Sequence, residues 1–186
     1  VPVNMQHQGL DAAILRKMAI PVGETPRMES WLRFLNLRET ATGEVHIGLV
    51  GKYDLQDAYK SILESLSHAA TYNHRKIVIS FINSEFLLPE NLSEKLDGQD
   101  GLVICPGFGQ RGIEGKILAV EYARTHDVPC LGICLGMQMM VIEFARNVLG
   151  YADANSSEMD AQTKHNVIDL MEDQKNVSNL GGTMRL

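Results

Sequence analysis

Val128-Pro-Cys-Leu-Gly-Ile-Cys134-Leu-Gly-Met-Gln138 runs from a short apolar segment straight into a helical pattern. At the junction, Gly132-Ile133-Cys134-Leu135-Gly136 has the form of a nucleophile elbow, G-x-S-x-G, with sulfur in place of oxygen. Both glycines have a physical reason. The turn is tight, its central residue is strained, and a side chain two positions away on either side would crowd it. An elbow needs a parallel strand before it and a helix after it. It delivers Cys134 to the carboxyl end of that strand, where open α/β sheets bind their ligands.

The flanking sequence supplies such a sheet. Val45–Val50 (VHIGLV) reads as a buried strand, and Lys76–Ile82 (KIVISFI), Leu102–Cys105 and Val128–Ile133 read as three more strands. Asp57–Tyr72 has the helical period, with Tyr59, Ile62, Leu63, Leu66, Ala69 and Ala70 on one face. Lys116–His126 and Leu135–Leu149 read as two more helices, the second stopping at Gly150. Asn83–Gly98 is irregular, with room for a short helix at Leu92–Leu96, and beyond Tyr151 the pattern fades apart from Val167–Met171. Alternation of this kind predicts an α/β fold, a flavodoxin-like parallel sheet with helices on both faces. Residues 1–44 differ. Leu10–Met18 reads as a short helix, and Trp31, Leu32, Phe34, Leu35 and Leu37 as a second short apolar-faced segment ahead of a Glu39–Gly43 linker, an appendage that docks on something else.

Composition narrows the function. The chain has 186 residues, 45% of them hydrophobic and 22% charged, and a net charge of −6. That balance argues against an electrostatic nucleic-acid binder. No apolar run approaches the ~20 residues needed to span a bilayer, and the first residues lack the charge and apolar block of a signal peptide. The expectation is a cytoplasmic protein with no nucleic-acid or membrane partner. Three cysteines, at 105, 130 and 134, show no CxxC spacing, so neither a disulfide framework nor a metal site is expected. Cys130 within a strand and Cys105 at the end of one read as packing residues.

A second glycine cluster, Cys105-Pro-Gly107-Phe-Gly109-Gln-Arg-Gly112, follows the third strand. Gly107–Gly112 is literally G-x-G-x-x-G, so a dinucleotide site must be weighed. The next strand, however, ends in Cys134 where an acid should hold the ribose, and Gly115-Lys116-Ile117 fails the Walker pattern. The reading favoured here has this loop face the elbow and donate backbone N–H groups to an oxyanion beside the amide of Leu135. A cysteine nucleophile also needs a base, normally His held by a carboxylate. His165 has Val167, not an acid, two residues on, and His46, His68, His74 and His126 read as packing or surface residues.

Leu131–Gln138 preceded by Pro106–Gly115 resembles the class I glutamine amidotransferases. Gly51-Lys-Tyr53, Asp57–Ser61, Glu143–Val148, Ala154–Glu158, Gly181–Leu186 and Gln8–Asp11 are similar to the CTP synthase family in particular, so the likeness covers essentially the whole chain. It implies a ligase that aminates UTP to CTP in pyrimidine biosynthesis. Residues 1–44 would be the tail of a synthetase domain and a linker, and 45–186 a glutaminase domain lacking its C-terminal part. Cys134 would attack L-glutamine, release ammonia and leave a glutamyl thioester. Gly107, Leu135, Gly136, Met137, Gln138 and Glu158 match glutamine-binding positions, Glu158 suiting the α-ammonium of the substrate. Lys52, Tyr53 and Lys60 fall in a lid segment linked to activation by GTP. No cofactor is implied for this domain; ATP and Mg belong to the synthetase domain, and the full enzyme would be a homotetramer.

Three departures accompany the likeness. Pro106 stands where the family has glycine and has no N–H to donate, which leaves Gly107 or Phe108 as second oxyanion donor. The lid segment is one residue short. The family's His-x-Glu follows the Gly-Gly-Thr-Met-Arg-Leu motif at which this chain stops, so the 186 residues alone are expected not to turn over glutamine. Two other classes stay open: a nucleotide-binding module resting on Gly107–Gly112, and a non-catalytic regulatory or assembly domain that keeps the elbow for shape.

Overall fold

The structure, a computed structural model, describes residues 2–24, 26–53 and 56–171. The Gly181–Leu186 motif and Asp54 and Leu55 of the lid segment lie outside the described residues. Two short helices, α1 (Pro2–His7) and α2 (Leu10–Lys17), open the chain without burying a residue. Helix α3 (Glu29–Glu39) buries Phe34, whose ring meets His68 edge-on at 5.2 Å. The expected linker is short, because β1 (Glu44–Gly51) begins at once.

Four strands form one parallel sheet. They are β1, β2 (Lys76–Asn83), β3 (Gly101–Ile104) and β4 (Cys130–Gly132), in the order β2-β1-β3-β4. Helix α4 (Lys60–Tyr72) links β1 to β2, and the short α5 (Leu92–Leu96) precedes β3. Helices α6 (Ile113–Thr125) and α7 (Leu135–Asn147) flank β4. A two-stranded piece, β5 (Asn155–Ser156) with β6 (Asn166–Ile168), follows.

Alternation along the strands sorts the core into two faces. Val50, Leu102 and Ile104 point to α6, where Ala119, Val120 and Ala123 meet them. Leu49, Val103 and Cys105 point the other way, against Ile62, Leu63 and Leu66 of α4. Helices therefore cover both faces, as the alternation predicts. A third cluster, Ile113, Ile117, Leu135, Met139 and Ile142, joins α6 to α7. Buried Glu143 reinforces it by pairing with Arg124 at 2.7 Å and accepting from Asn147 at 3.1 Å.

Several boundaries differ from the sequence reading, and two of the differences have a clear local cause. Helix α6 starts at Ile113, not Lys116, because left-handed Gly112 (φ 72°) caps it there. Strand β4 is three residues long. Pro129 has no N–H for the ladder, though its carbonyl still accepts from Leu102 at 2.8 Å.

Ile104 is fully buried at the centre of the sheet. Replacing it with alanine should cost about 2–5 kcal/mol, read as a lower urea midpoint with an unchanged slope.

Candidate active site

Strand order reverses beside β1, since β2 lies on one side of it and β3 on the other. In such sheets the ligand crevice opens beyond the carboxyl ends of the strands at that point. Three segments meet there: Gly51–Tyr53 after β1, Cys105–Gly109 after β3, and Cys134 after β4. The parallel ladder continues into two of them, with Cys105 N donating to Val50 O at 2.9 Å and Ile133 N to Ile104 O at 3.0 Å.

Cys134 caps α7 with φ 54° and ψ −112°, a conformation that L residues rarely adopt. Both elbow glycines are required by close approach. A Cβ at Gly136 would lie 1.9 Å from the Ile104 carbonyl oxygen, and one at Gly132 would lie 2.6 Å from Gly136 C and Met137 N. The thiol is exposed at the N-terminus of α7. The amide of Gly136 is engaged by Ile133 O at 2.9 Å and that of Gln138 by Cys134 O at 3.2 Å. Leu135 belongs to the first turn, whose amides have no intrahelical acceptor.

The other two thiols sit in opposite surroundings. Burial pushes Cys105 up to about 12, partly offset by nearby Lys116, and pushes Cys130 up to about 11. Both remain protonated well above neutrality, as expected of packing cysteines.

Gly107 is buried at the middle of the crevice. A Cβ there would stand 3.0 Å from Lys52 Cε, 3.5 Å from Leu135 Cδ2 and 3.7 Å from Lys116 Nζ. Lys52, expected in a lid, is only 4% exposed and donates from Nζ to the Phe108 carbonyl. Tyr53 is partly exposed, 5.9 Å from the Tyr59 ring, and Lys60 pairs with Glu64 at 2.8 Å. The space over Gly107 is thus filled by lysine side chains, and a Cβ at Gly112 would lie 2.4 Å from Ser84 Oγ. Gly107 and Gly112 thus make room for neighbouring protein, whereas Gly109 (φ 71°) faces open space.

Met137 is exposed and Gln138 half-buried on the first turn of α7. Glu158 is exposed on a turn in which Glu158 N donates to Ser156 Oγ at 3.2 Å. Gln110 ties that turn to the glycine loop, donating from Nε2 to Met159 O at 2.9 Å. Met159 also packs on the cluster that contains Leu135. The elbow, the glycine loop and the Glu158 turn therefore form one connected unit.

His165 belongs elsewhere. Its ring pairs with Asp153 at 2.5 Å and stacks on Tyr151 at 4.3 Å. Tyr151 N donates to Ala145 O, beside the C-terminal end of α7, whereas Cys134 is at its N-terminus. Thirteen helical residues separate the two ends, about 20 Å of helix. His126 stacks on Tyr122 at 4.0 Å, His68 packs on Phe34, and His46 pairs with Glu44 at 3.6 Å. The sequence reading missed Lys116 and Gln110 as parts of the site. Lys116 was visible only as a failed Walker lysine, and nothing local marked Gln110. Among the described residues, no group of three or more His, Cys, Asp or Glu is arranged to hold a metal ion, and no helix is long and apolar enough to cross a membrane.

Two measurements follow from this geometry. At about pH 8, iodoacetamide should modify Cys134 and leave Cys105 and Cys130 as thiols, giving one adduct by intact mass. Replacing His165 with alanine should leave the rate of that alkylation unchanged.

Residues 54–186 match the family described as "Glutamine amidotransferase class-I". A CTP synthase from Bacteroides fragilis is 65% identical over 187 residues, spanning 100% of this chain and 35% of that protein. A CTP synthase from Porphyromonas gingivalis is 54% identical over the same share of each. The chain thus spans about a third of the length of these relatives. Among solved structures, the glutaminase domain of Trypanosoma brucei CTPS with bound acivicin superposes with a TM-score of 0.67 at 38% identity, covering 71% of this chain and 52% of that one.

Proposed function

We propose, since this chain belongs to the class-I glutamine amidotransferase family, that Cys134 is the nucleophile that takes ammonia from glutamine. The observation that carries the reading is the state of its thiol. Cys134 stands exposed at a helix N-terminus in a left-handed conformation, while Cys105 and Cys130 are shielded and pushed up to about 12 and about 11. Attack of the sulfur on the carboxamide carbon places negative charge on the amide oxygen. The Leu135 amide is placed to receive it, together with an N–H of the Gly107–Phe108 loop. Collapse of this adduct expels ammonia and leaves a glutamyl thioester, which water hydrolyses to glutamate. In this reading Glu158 pairs with the substrate α-ammonium, and Gly107, Gly136, Met137 and Gln138 complete the glutamine site.

The long, close likeness to CTP synthases supports a larger reading. The ammonia would pass to a synthetase part that aminates UTP to CTP with ATP and Mg, under activation by GTP, in a cytoplasmic homotetramer. Residues 1–44 would then be the end of that synthetase part and the linker, and residues from 45 onward the glutaminase domain.

Competition tests the first part. L-glutamine should slow alkylation of Cys134 severalfold in a saturable way, and L-asparagine, one methylene shorter, should not. Equal rates with and without glutamine would sink the reading.

A further inference from the structure

Lys116 is a buried cation with no role in the reaction written above. It is fully buried on α6, where Ile113, Ile117 and Val120 are buried too. Burying an ammonium is costly, and a methionine would fill a similar volume without that cost. What the ammonium holds is the carbonyl of Cys105, at 2.6 Å. Cys105 is itself fully buried, and among the described residues no backbone N–H bonds that oxygen. On the far side of the turn, Lys52 Nζ holds the Phe108 carbonyl. Burial pushes the Lys116 amine down to about 8, so at neutral pH it is mostly protonated and its bond is charge-assisted.

Each of these bonds fixes a whole peptide plane, because a carbonyl is coplanar with the next nitrogen and both flanking Cα atoms. The Cα atoms of Pro106 and Phe108 belong to the two planes held by lysine. Only Gly107 between them is left to swing, and one side of it is closed. A Cβ there would meet Lys52 Cε at 3.0 Å, Leu135 Cδ2 at 3.5 Å and Lys116 Nζ at 3.7 Å. Pro106 has no N–H, so the next donors in this turn are those of Gly107 and Phe108. Neither donates to a backbone carbonyl among the described residues.

We propose that Lys116, acting with Lys52, is a positioning residue for the oxyanion: by holding the Cys105 carbonyl it sets where the N–H groups of Gly107 and Phe108 stand beside Leu135. This role rests on the reading of Cys134 as a nucleophile at carbonyl carbon, and not on glutamine being the substrate. Without the lysine, the Cys105 carbonyl is a buried acceptor left unpaired, and its peptide turns towards other donors. The turn then shifts, and a misplacement of about 1 Å near a reacting centre is worth up to about 100-fold.

The test compares two reactions of the same thiol. When butanal adds to Cys134, an S–C bond forms, the C=O π bond opens and the thiol proton passes to oxygen, so the adduct sets an oxygen against the loop. With iodoacetamide, sulfur displaces iodide and no oxygen gains charge. Adduct affinity is read by NMR of the aldehyde carbon, with Cys134→Ser as the blank, and alkylation by intact mass. In Lys116→Met the adduct should weaken about tenfold while the alkylation rate stays within about twofold of wild type. Equal adduct affinity in the two proteins overturns the proposal. So does a wild type that forms no adduct, or a parallel fall in both reactions, which would mean that the elbow itself has moved. If Lys116→Met does not fold, Lys52→Met removes the other clamp and should give the same split; an unchanged adduct there overturns the proposal. Protection of Cys134 by L-glutamine is read separately in wild type. Its absence beside an intact butanal split removes the glutamine reading alone.

Discussion

The close approach of Gly136 to the carbonyl of Ile104 governs the arrangement of the whole crevice. No side chain fits in that gap, where a Cβ would lie 1.9 Å from the oxygen. The first turn of α7 therefore rests directly on the end of β3. That contact sets the height of the helix above the sheet and forces the chain between β4 and α7 through the left-handed conformation at Cys134. Such strain persists only where the surroundings over-determine it. Here they do so through the buried pair of α6 and α7, sealed by Ile117, Met139 and Ile142 and tied by Arg124 and Glu143.

The glycine loop depends on the same contact from the other side. Its backbone begins as a continuation of β3, paired through Cys105 N to β1. It then leaves the sheet over two buried lysine side chains. A loop without its own secondary structure is usually loose. This one is fixed by charge-assisted bonds to carbonyls, and by Gln110 reaching across to the Glu158 turn. The elbow presents the Cys134 thiol, and the loop supplies a wall whose peptide orientations are held.

Much of this was legible in the sequence because the signals were local. Strands β1 and β2 are rich in β-branched residues, and the elbow is marked by two glycines four residues apart. The start of α6 was misplaced because Lys116 on its inner face flattens the amphipathic pattern that Ile117 and Val120 would otherwise show. Gly112, whose left-handed conformation ends the loop, was the better marker. The partner of His165 has no local mark, because Val167 stands two residues on and Asp153 is brought to the ring by the β5–β6 pairing. The contact between Gln110 and Met159 spans 49 residues and involves a backbone carbonyl, which every residue carries. Sequence pattern cannot point to such an acceptor.

The register of the sheet also sets when this nucleophile comes into being. Its central strand, β1, pairs with partners that begin at Lys76 and Gly101, and β4 joins β3 only from Cys130. No hairpin shortens these closures, and non-local parallel pairing is slow to form. A nascent chain synthesised as far as Val128 holds β1, β2 and β3 but not the contact that bends the backbone at position 134. Until Leu135–Asn147 has been made and has docked on Ile104, nothing holds Cys134 at its positive φ. The elbow is the late product of a sheet assembled from one end of the sequence to the other.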